Sequence, residues 1–135
     1  MIEDISPEEV FAVLEQDPAA QLVDVRTDAE WQYVGLPDLR GIGKQIVLVS
    51  WQYFPTGNVN QGFVAELLEA GLTPEHKLYF ICRSGVRSRA AANVAQAAGF
   101  THSFNVADGF EGCPDQEGHR GMVGGWKACA LPWRN

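Results

Sequence analysis

Lys77-Leu-Tyr-Phe-Ile-Cys82-Arg83-Ser84-Gly85-Val86-Arg87-Ser88-Arg89-Ala90-Ala91-Ala92 decides how the rest of this chain is read. Leu78 to Ile81 is aromatic and β-branched and too short for a helix, which suits a buried parallel strand. Gly85 sits in the polar stretch that follows and permits a positive φ or a close backbone approach. From Ser88 onward the alanines favour a helix. Strand, loop and helix in that order aim backbone N–H groups and the positive end of the helix dipole at one point in front of Cys82. Arg83, Arg87 and Arg89 add positive charge, and such surroundings favour the thiolate form of a cysteine. The opposing reading, a small hydrophobe ending a core strand, gives no reason for the arginines and glycine that follow. Cys82 is therefore read as a reactive thiol.

The 135 residues carry a net charge of −7, with 46% hydrophobic and 20% charged residues, as expected of one globular domain spanning the whole chain. The acidic balance argues against nucleic acid as a partner, because phosphate binding needs a basic face. Against that background the arginines around Cys82 suit capture of a small anion. The start, Met1-Ile-Glu-Asp-Ile-Ser6, lacks the features of a signal peptide, and no apolar run reaches membrane-spanning length. A cytoplasmic protein without a membrane partner is expected. Three cysteines with no CxxC spacing indicate neither a disulfide framework nor a thioredoxin-type site.

Outward from the centre, strands and helices alternate. Ser6-Pro7-Glu8-Glu9 is a helix start in which Glu9 is placed to close a capping box, and the helix runs to about Glu15. Gln21 to Arg26 reads as a strand. Thr27-Asp-Ala-Glu30 is a second capping box, opening a helix to about Val34. Asp24 and Arg26 end a parallel strand, the edge at which open α/β sheets build their sites. Asp24 is expected to support the Cys82 loop from behind by bracing Ser88 or Arg89. Arg26 is expected to pair with Glu30. Gly41-Ile-Gly43-Lys44 fails as a phosphate loop, since Asp38 and Gln45 stand where glycine and Ser or Thr are needed. Ile46 to Val49 is a strand, and Trp51 to Pro55 an aromatic loop forming core or pocket wall. A helix begins at Asn60 and stops near Gly71, the helix after Cys82 runs to about Ala98, and Phe104 to Val106 is a last strand. The alternation implies an α/β fold: a mostly parallel central sheet with helices on both faces. Gly109 to Trp126 reads as a glycine-rich loop. Its Cys113 and His119, with Cys129, match no paired zinc pattern, so no metal is expected. Trp126, Leu131 and Trp133 are read as docking the tail on the core.

These residues bring the chain to a family. It resembles a single-domain rhodanese-like sulfurtransferase, through Asp24-Val-Arg26 with Glu30-Trp31, Cys82 to Ser88, and Gly125-Trp126-Lys127 with Leu131-Pro132. The resemblance implies a catalytic Cys82 that takes a sulfane sulfur from a small anionic donor such as thiosulfate and holds it as a persulfide. It passes the sulfur to a thiophilic acceptor such as cyanide, a thiol or a protein thiol, with no cofactor. Backbone N–H groups from Arg83, Ser84, Gly85, Val86, Arg87 and Ser88 would surround the outer sulfur, with Arg87 and secondarily Arg83 holding the donor. Two stretches depart from the family pattern. Gly35-Leu-Pro-Asp-Leu-Arg40-Gly41 stands where Gly-His-Ile-Pro-Gly-Ala is usual, and the Gly109 to Gly125 loop is longer. A non-catalytic binding or sulfur-relay module is the alternative of another class. A cysteine phosphatase or arsenate reductase would need Cys-x5-Arg, and the position that must hold that arginine is Ser88.

Overall fold

A computed structural model describes residues 2–112 and 125–134. Five parallel strands form the central sheet: β1 (Glu3–Ile5), β2 (Ala20–Asp24), β4 (Val47–Leu48), β5 (Lys77–Ile81) and β6 (Ser103–Val106), in the spatial order β1-β6-β5-β2-β4. A separate antiparallel pair joins β3 (Leu36–Pro37) to β7 (Trp133–Arg134). The helices are α1 (Pro7–Gln16), α2 (Asp28–Tyr33), α3 (Phe63–Glu69), α4 (Val86–Ala97) and α5 (Gly125–Ala128).

The period-two alternation of β5 splits the core into two layers. Leu78, Phe80 and Cys82 pack with Phe63 and Leu67 of α3 and Ala91, Ala92 and Ala95 of α4. Tyr79 and Ile81 face the other way, packing with Val10 and Leu14 of α1 and Trp126 of α5. Small side chains on α4 let it lie close to the sheet. Helices thus cover both faces of a parallel sheet.

Local signals set most boundaries. Thr27 accepts from the Glu30 N–H while Glu30 accepts from the Thr27 N–H, a complete capping box at the start of α2. The box expected at Ser6 shows the Ser6 half, a bond from the Glu9 N–H. The helix expected from Asn60 starts at Phe63 instead: Asn60 Oδ1 accepts from Gly62 N–H, and its Nδ2 bonds Ser50 O and Glu66, so Asn60 closes the turn before the helix. The helix after Cys82 opens at Val86, two residues earlier than expected, with Gly85 at φ 107° as its N-cap. β1, β3 and β7 were absent from the sequence reading. In the segment Gly41 to Lys44, Lys44 Nζ donates to the carbonyls of Asp17 and Ala20 and ties this loop to the entry of β2.

Strand order positions the site. From β2 the chain moves outward to β4, whereas from β5 it moves the opposite way to β6. The crevice between the C-terminal ends of β2 and β5 is where such sheets bind ligands, because the connections diverge there and leave it open. Cys82 follows β5, and the Asp24-Val25-Arg26 segment lies at the end of β2.

Candidate active site

Cys82 lies one residue beyond β5, 1% exposed, at the floor of a cleft of 670 Å3. Two donors converge on its Sγ: the Gly85 N–H at 3.1 Å and the Ser88 hydroxyl at 3.2 Å. The first N–H groups of α4 have no acceptor inside the helix and open at the same place. Any negative charge on Cys82 therefore meets oriented dipoles.

Ser88 Oγ is also bonded to Asn105 Oδ1 of β6. One hydroxyl proton serves two acceptors, so its position follows the state of the sulfur. A neutral thiol can donate to Oγ while the hydroxyl donates to Asn105; a thiolate draws the hydroxyl proton to itself. Asn105 Nδ2 is fixed in turn by Asp4 Oδ1 at 2.9 Å and Gly85 O at 3.2 Å. Asn105 was missed in the sequence, where an amide inside the apolar strand Phe104 to Val106 was the available signal.

The charged neighbours are arranged differently from expectation. Arg26 pairs with Asp24 and not with Glu30: Nη2 lies 2.7 Å from Asp24 Oδ2 and Nε 3.0 Å from Oδ1, with both side chains fully buried. Nη2 also donates to Gly35 O at 2.7 Å, and the guanidinium carbon stands 4.3 Å above the Phe110 ring. Asp24 thus braces Arg26 rather than Ser88 or Arg89. Arg89 turns away from the cleft and bonds Asp4 and the Ile2 carbonyl, joining α4 to β1.

Glu30 is taken by Arg87 in a two-pronged pair, Nη1 to Oε1 at 2.8 Å and Nη2 to Oε2 at 2.9 Å. Burial works against ionisation of Glu30, but the hydrogen bonds and charge of Arg87, with the Thr27 N–H, hold its carboxyl below the ordinary value. The hydrogen bonds from Arg87 to Glu30 raise the Arg87 value in turn. Arg83 is half-exposed and pairs with Glu111 at 3.2 Å. Both arginines assigned to an anionic donor line the cleft, each already facing a carboxylate.

The aromatic loop divides its residues. Trp51 packs edge-on against Phe63 in the core, while Tyr53, Phe54 and Pro55 form one wall of the cleft. Val34 and Val86 contribute to the lining as well.

The segment after β6 clamps the base of the Cys82 loop. Phe110 N–H donates to Cys82 O at 2.7 Å, and Glu111 N–H to Arg83 O at 2.9 Å. Gly109 permits this approach: it has φ 62°, and a Cβ there would sit 2.4 Å from Cys82 O and 2.7 Å from Arg83 O. Gly109→Ala is expected to destabilise the protein by roughly 1–3 kcal/mol, since the obstructing atoms are backbone and cannot rotate aside. A loss below about 0.5 kcal/mol in urea unfolding would show that the loop moves freely.

Cys129 bonds Glu8 of α1 at 3.3 Å, on the side packed against α5. Cys113, His119 and most of the long glycine-rich loop lie outside the described residues. Among the described residues no group of three or more His, Cys, Asp or Glu side chains is arranged to hold a metal, and no helix is long and apolar enough to cross a membrane. Trp126 is fully buried, with Nε1 donating to Pro132 O at 2.7 Å, and Trp133 packs edge-on against Phe110, so the tail docks on the core as the sequence suggested.

Comparison with known proteins agrees with this architecture. Rv0390 from M. tuberculosis, a crystal structure, is 47% identical, with a TM-score of 0.89 over 98% of this chain and 96% of that one. Rhodanese-like domain-containing protein 4, chloroplastic, of Arabidopsis thaliana is 29% identical over 95% of this chain and 25% of its own length. The polysulfide-sulfur transferase homodimer of Wolinella succinogenes shares the fold at 22% identity, with a TM-score of 0.67 over 98% of this chain and 78% of that one. A family match extends from residue 3 to residue 135 and takes in β1, the Cys82 loop and the docked tail alike. On a rhodanese-like fold, this chain belongs to the STR4 middle domain family.

Proposed function

We propose that this protein is a sulfurtransferase in which Cys82 carries a sulfane sulfur as a persulfide. The observation that carries this reading is the convergence of the Gly85 N–H and the Ser88 hydroxyl on a cysteine sulfur at the mouth of α4, on the floor of an open cleft. These donors stabilise negative charge on the sulfur and need no metal or cofactor. The rhodanese-like fold and the polysulfide-sulfur transferase that shares it support the same chemistry.

With thiosulfate as donor, the Cys82 thiolate forms a bond to the outer sulfur. The S–S bond breaks, and its electron pair leaves with sulfite. Cys82 is left as a persulfide anion whose outer sulfur lies among the N–H groups of Arg83 to Ser88. Cyanide or a thiolate then attacks that sulfur and restores the Cys82 thiolate. Sulfite is a stable anion and requires no general acid, which fits a loop from Cys82 to Ser88 without histidine or carboxylate. Arg87 lines the cleft beside the leaving group, with Glu30 as its partner.

Intact mass after mixing the reduced protein with excess thiosulfate, or with inorganic polysulfide, tests the proposal. The expected result is a gain of one sulfur atom on Cys82, reversed by cyanide. No gain with either donor, in protein whose Cys82 still alkylates, overturns the reading in favour of a binding module.

A further inference from the structure

Arg83 and Arg87 are the cationic side chains among the described residues lining the cleft, and each is matched by a carboxylate of that same lining, Glu111 and Glu30 respectively. Arg87 and Glu30 are both largely withdrawn from solvent, at 24% and 20% exposure, and are joined by two hydrogen bonds. A dianion entering here would have to displace Glu30 or sit beside its negative charge, so the local balance of charge is near zero rather than positive. Thr27, Gln52 and Ser84 add neutral polar groups, and the remaining lining is largely apolar: Phe54, 66% exposed, and Val86, 77% exposed, stand with Ala29, Val34, Tyr53 and Pro55. Apolar side chains grouped in a cleft beside Cys82 suit a ligand with an apolar body. The cleft volume of 670 Å3 lies within the range of about 300–1,000 Å3 typical of pockets for drug-sized molecules. Thiosulfate would leave most of that space unfilled.

Resting on the sulfur-carrier reading, we propose that the preferred sulfur donor has an apolar, aromatic-sized body and at most one negative charge, with Glu30 and Phe54 determining that specificity. Glu30 acts by engaging Arg87, which lowers the attraction for a dianion. Phe54 acts by direct contact with the donor's body. The sulfane sulfur is presented to Cys82 while the body lies along the Tyr53–Pro55 wall.

The test compares benzenethiosulfonate, an aromatic monoanion, with thiosulfate, a dianion without a carbon body, each in sulfur transfer to cyanide. Both donors contain a sulfane sulfur bonded to an oxidised sulfur. With benzenethiosulfonate, the Cys82 thiolate bonds to the outer sulfur, the S–S bond breaks, and benzenesulfinate leaves with the electron pair. Cyanide then removes the outer sulfur as thiocyanate. The ratio of the two kcat/KM values is divided by the ratio of rates for a free thiol in solution, which removes intrinsic reactivity.

The corrected preference for benzenethiosulfonate is expected to be about tenfold or more, the scale set by a few apolar contacts and one unfavourable charge. Phe54→Ser is expected to lower the value for benzenethiosulfonate about fivefold more than that for thiosulfate, chiefly through KM. Glu30→Gln is expected to raise thiosulfate use relative to benzenethiosulfonate; because Glu30 also caps α2, Phe54→Ser decides the matter if that variant does not fold. A corrected ratio near one, or a preference unchanged by Phe54→Ser, overturns the inference and leaves Cys82 as a sulfur carrier. Failure of both donors to load a Cys82 that still alkylates overturns the sulfur-carrier reading itself, and this inference with it.

Discussion

Cys82→Ser is expected to abolish sulfur loading and reduce transfer to cyanide by at least about a thousandfold, the scale seen when a covalent nucleophile is removed from an otherwise intact site. The geometry explains why the fold should survive. A serine oxygen at the same position can still accept from Gly85 N–H and Ser88 Oγ, so no buried donor loses its partner. The urea midpoint is accordingly expected to shift by the equivalent of about 1 kcal/mol or less. A serine hydroxyl, however, does not ionise near neutrality and cannot attack the donor as a thiolate does. Residual loading would point to another cysteine. Cys129 is a poor substitute: burial first, then its hydrogen bond to Glu8 and that group's charge, push its thiol up and keep it protonated. Full sulfur loading of the Cys82→Ser protein would refute the assignment of the carrier.

Asp24→Ala is expected to cost about 3–5 kcal/mol, because it strands a fully buried guanidinium. Asp24 accepts from the backbone N–H of Arg26 as well as from Nε and Nη2, and Arg26 Nη1 already has no hydrogen-bond partner. Without the carboxylate, the positive charge would face Gly35 O and the Phe110 ring alone. Those contacts tie the turn after α2 to the segment that clamps the Cys82 loop, so loss of Arg26 positioning should also slow sulfur loading. Replacing both partners with apolar residues, as in Asp24→Leu with Arg26→Met, is expected to recover much of the stability, since the desolvated charge goes with its partner. Urea unfolding distinguishes the cases. A loss under about 1 kcal/mol for Asp24→Ala would show that water reaches Arg26 and that the pair is not a buried one.

The local elements were legible because their determinants lie close together in sequence. Thr27 and Glu30 are three residues apart, and their capping box requires no distant group. The alternation of Leu78, Tyr79, Phe80 and Ile81 supplies both faces of one strand, and Gly85 falls at the positive φ that starts α4. β1 and the β3–β7 pair were illegible because such short strands carry no periodicity; partners distant in the chain make them strands.

Charge pairing shows the same division more sharply. From the sequence, Arg26 was expected to pair with Glu30, and Asp24 to brace Ser88 or Arg89. Strand geometry put Asp24 on the same side as Arg26, two residues back, while Arg87, 57 residues away, took Glu30. Asn105 reached Ser88 only because β6 lies beside β5.

By itself, then, the sequence determined that a cysteine would stand between a buried strand and a helix start, within a parallel α/β sheet, because strand period, glycine conformation and helix propensity act over a few residues. Which carboxylate each cleft arginine meets, what orients the Ser88 hydroxyl, and how apolar the cleft is were decided only by tertiary structure. Each depends on which side chains the strand order brings within hydrogen-bond reach, and Coulomb and hydrogen-bond energies depend on distance in space and on burial, neither of which separation along the chain encodes.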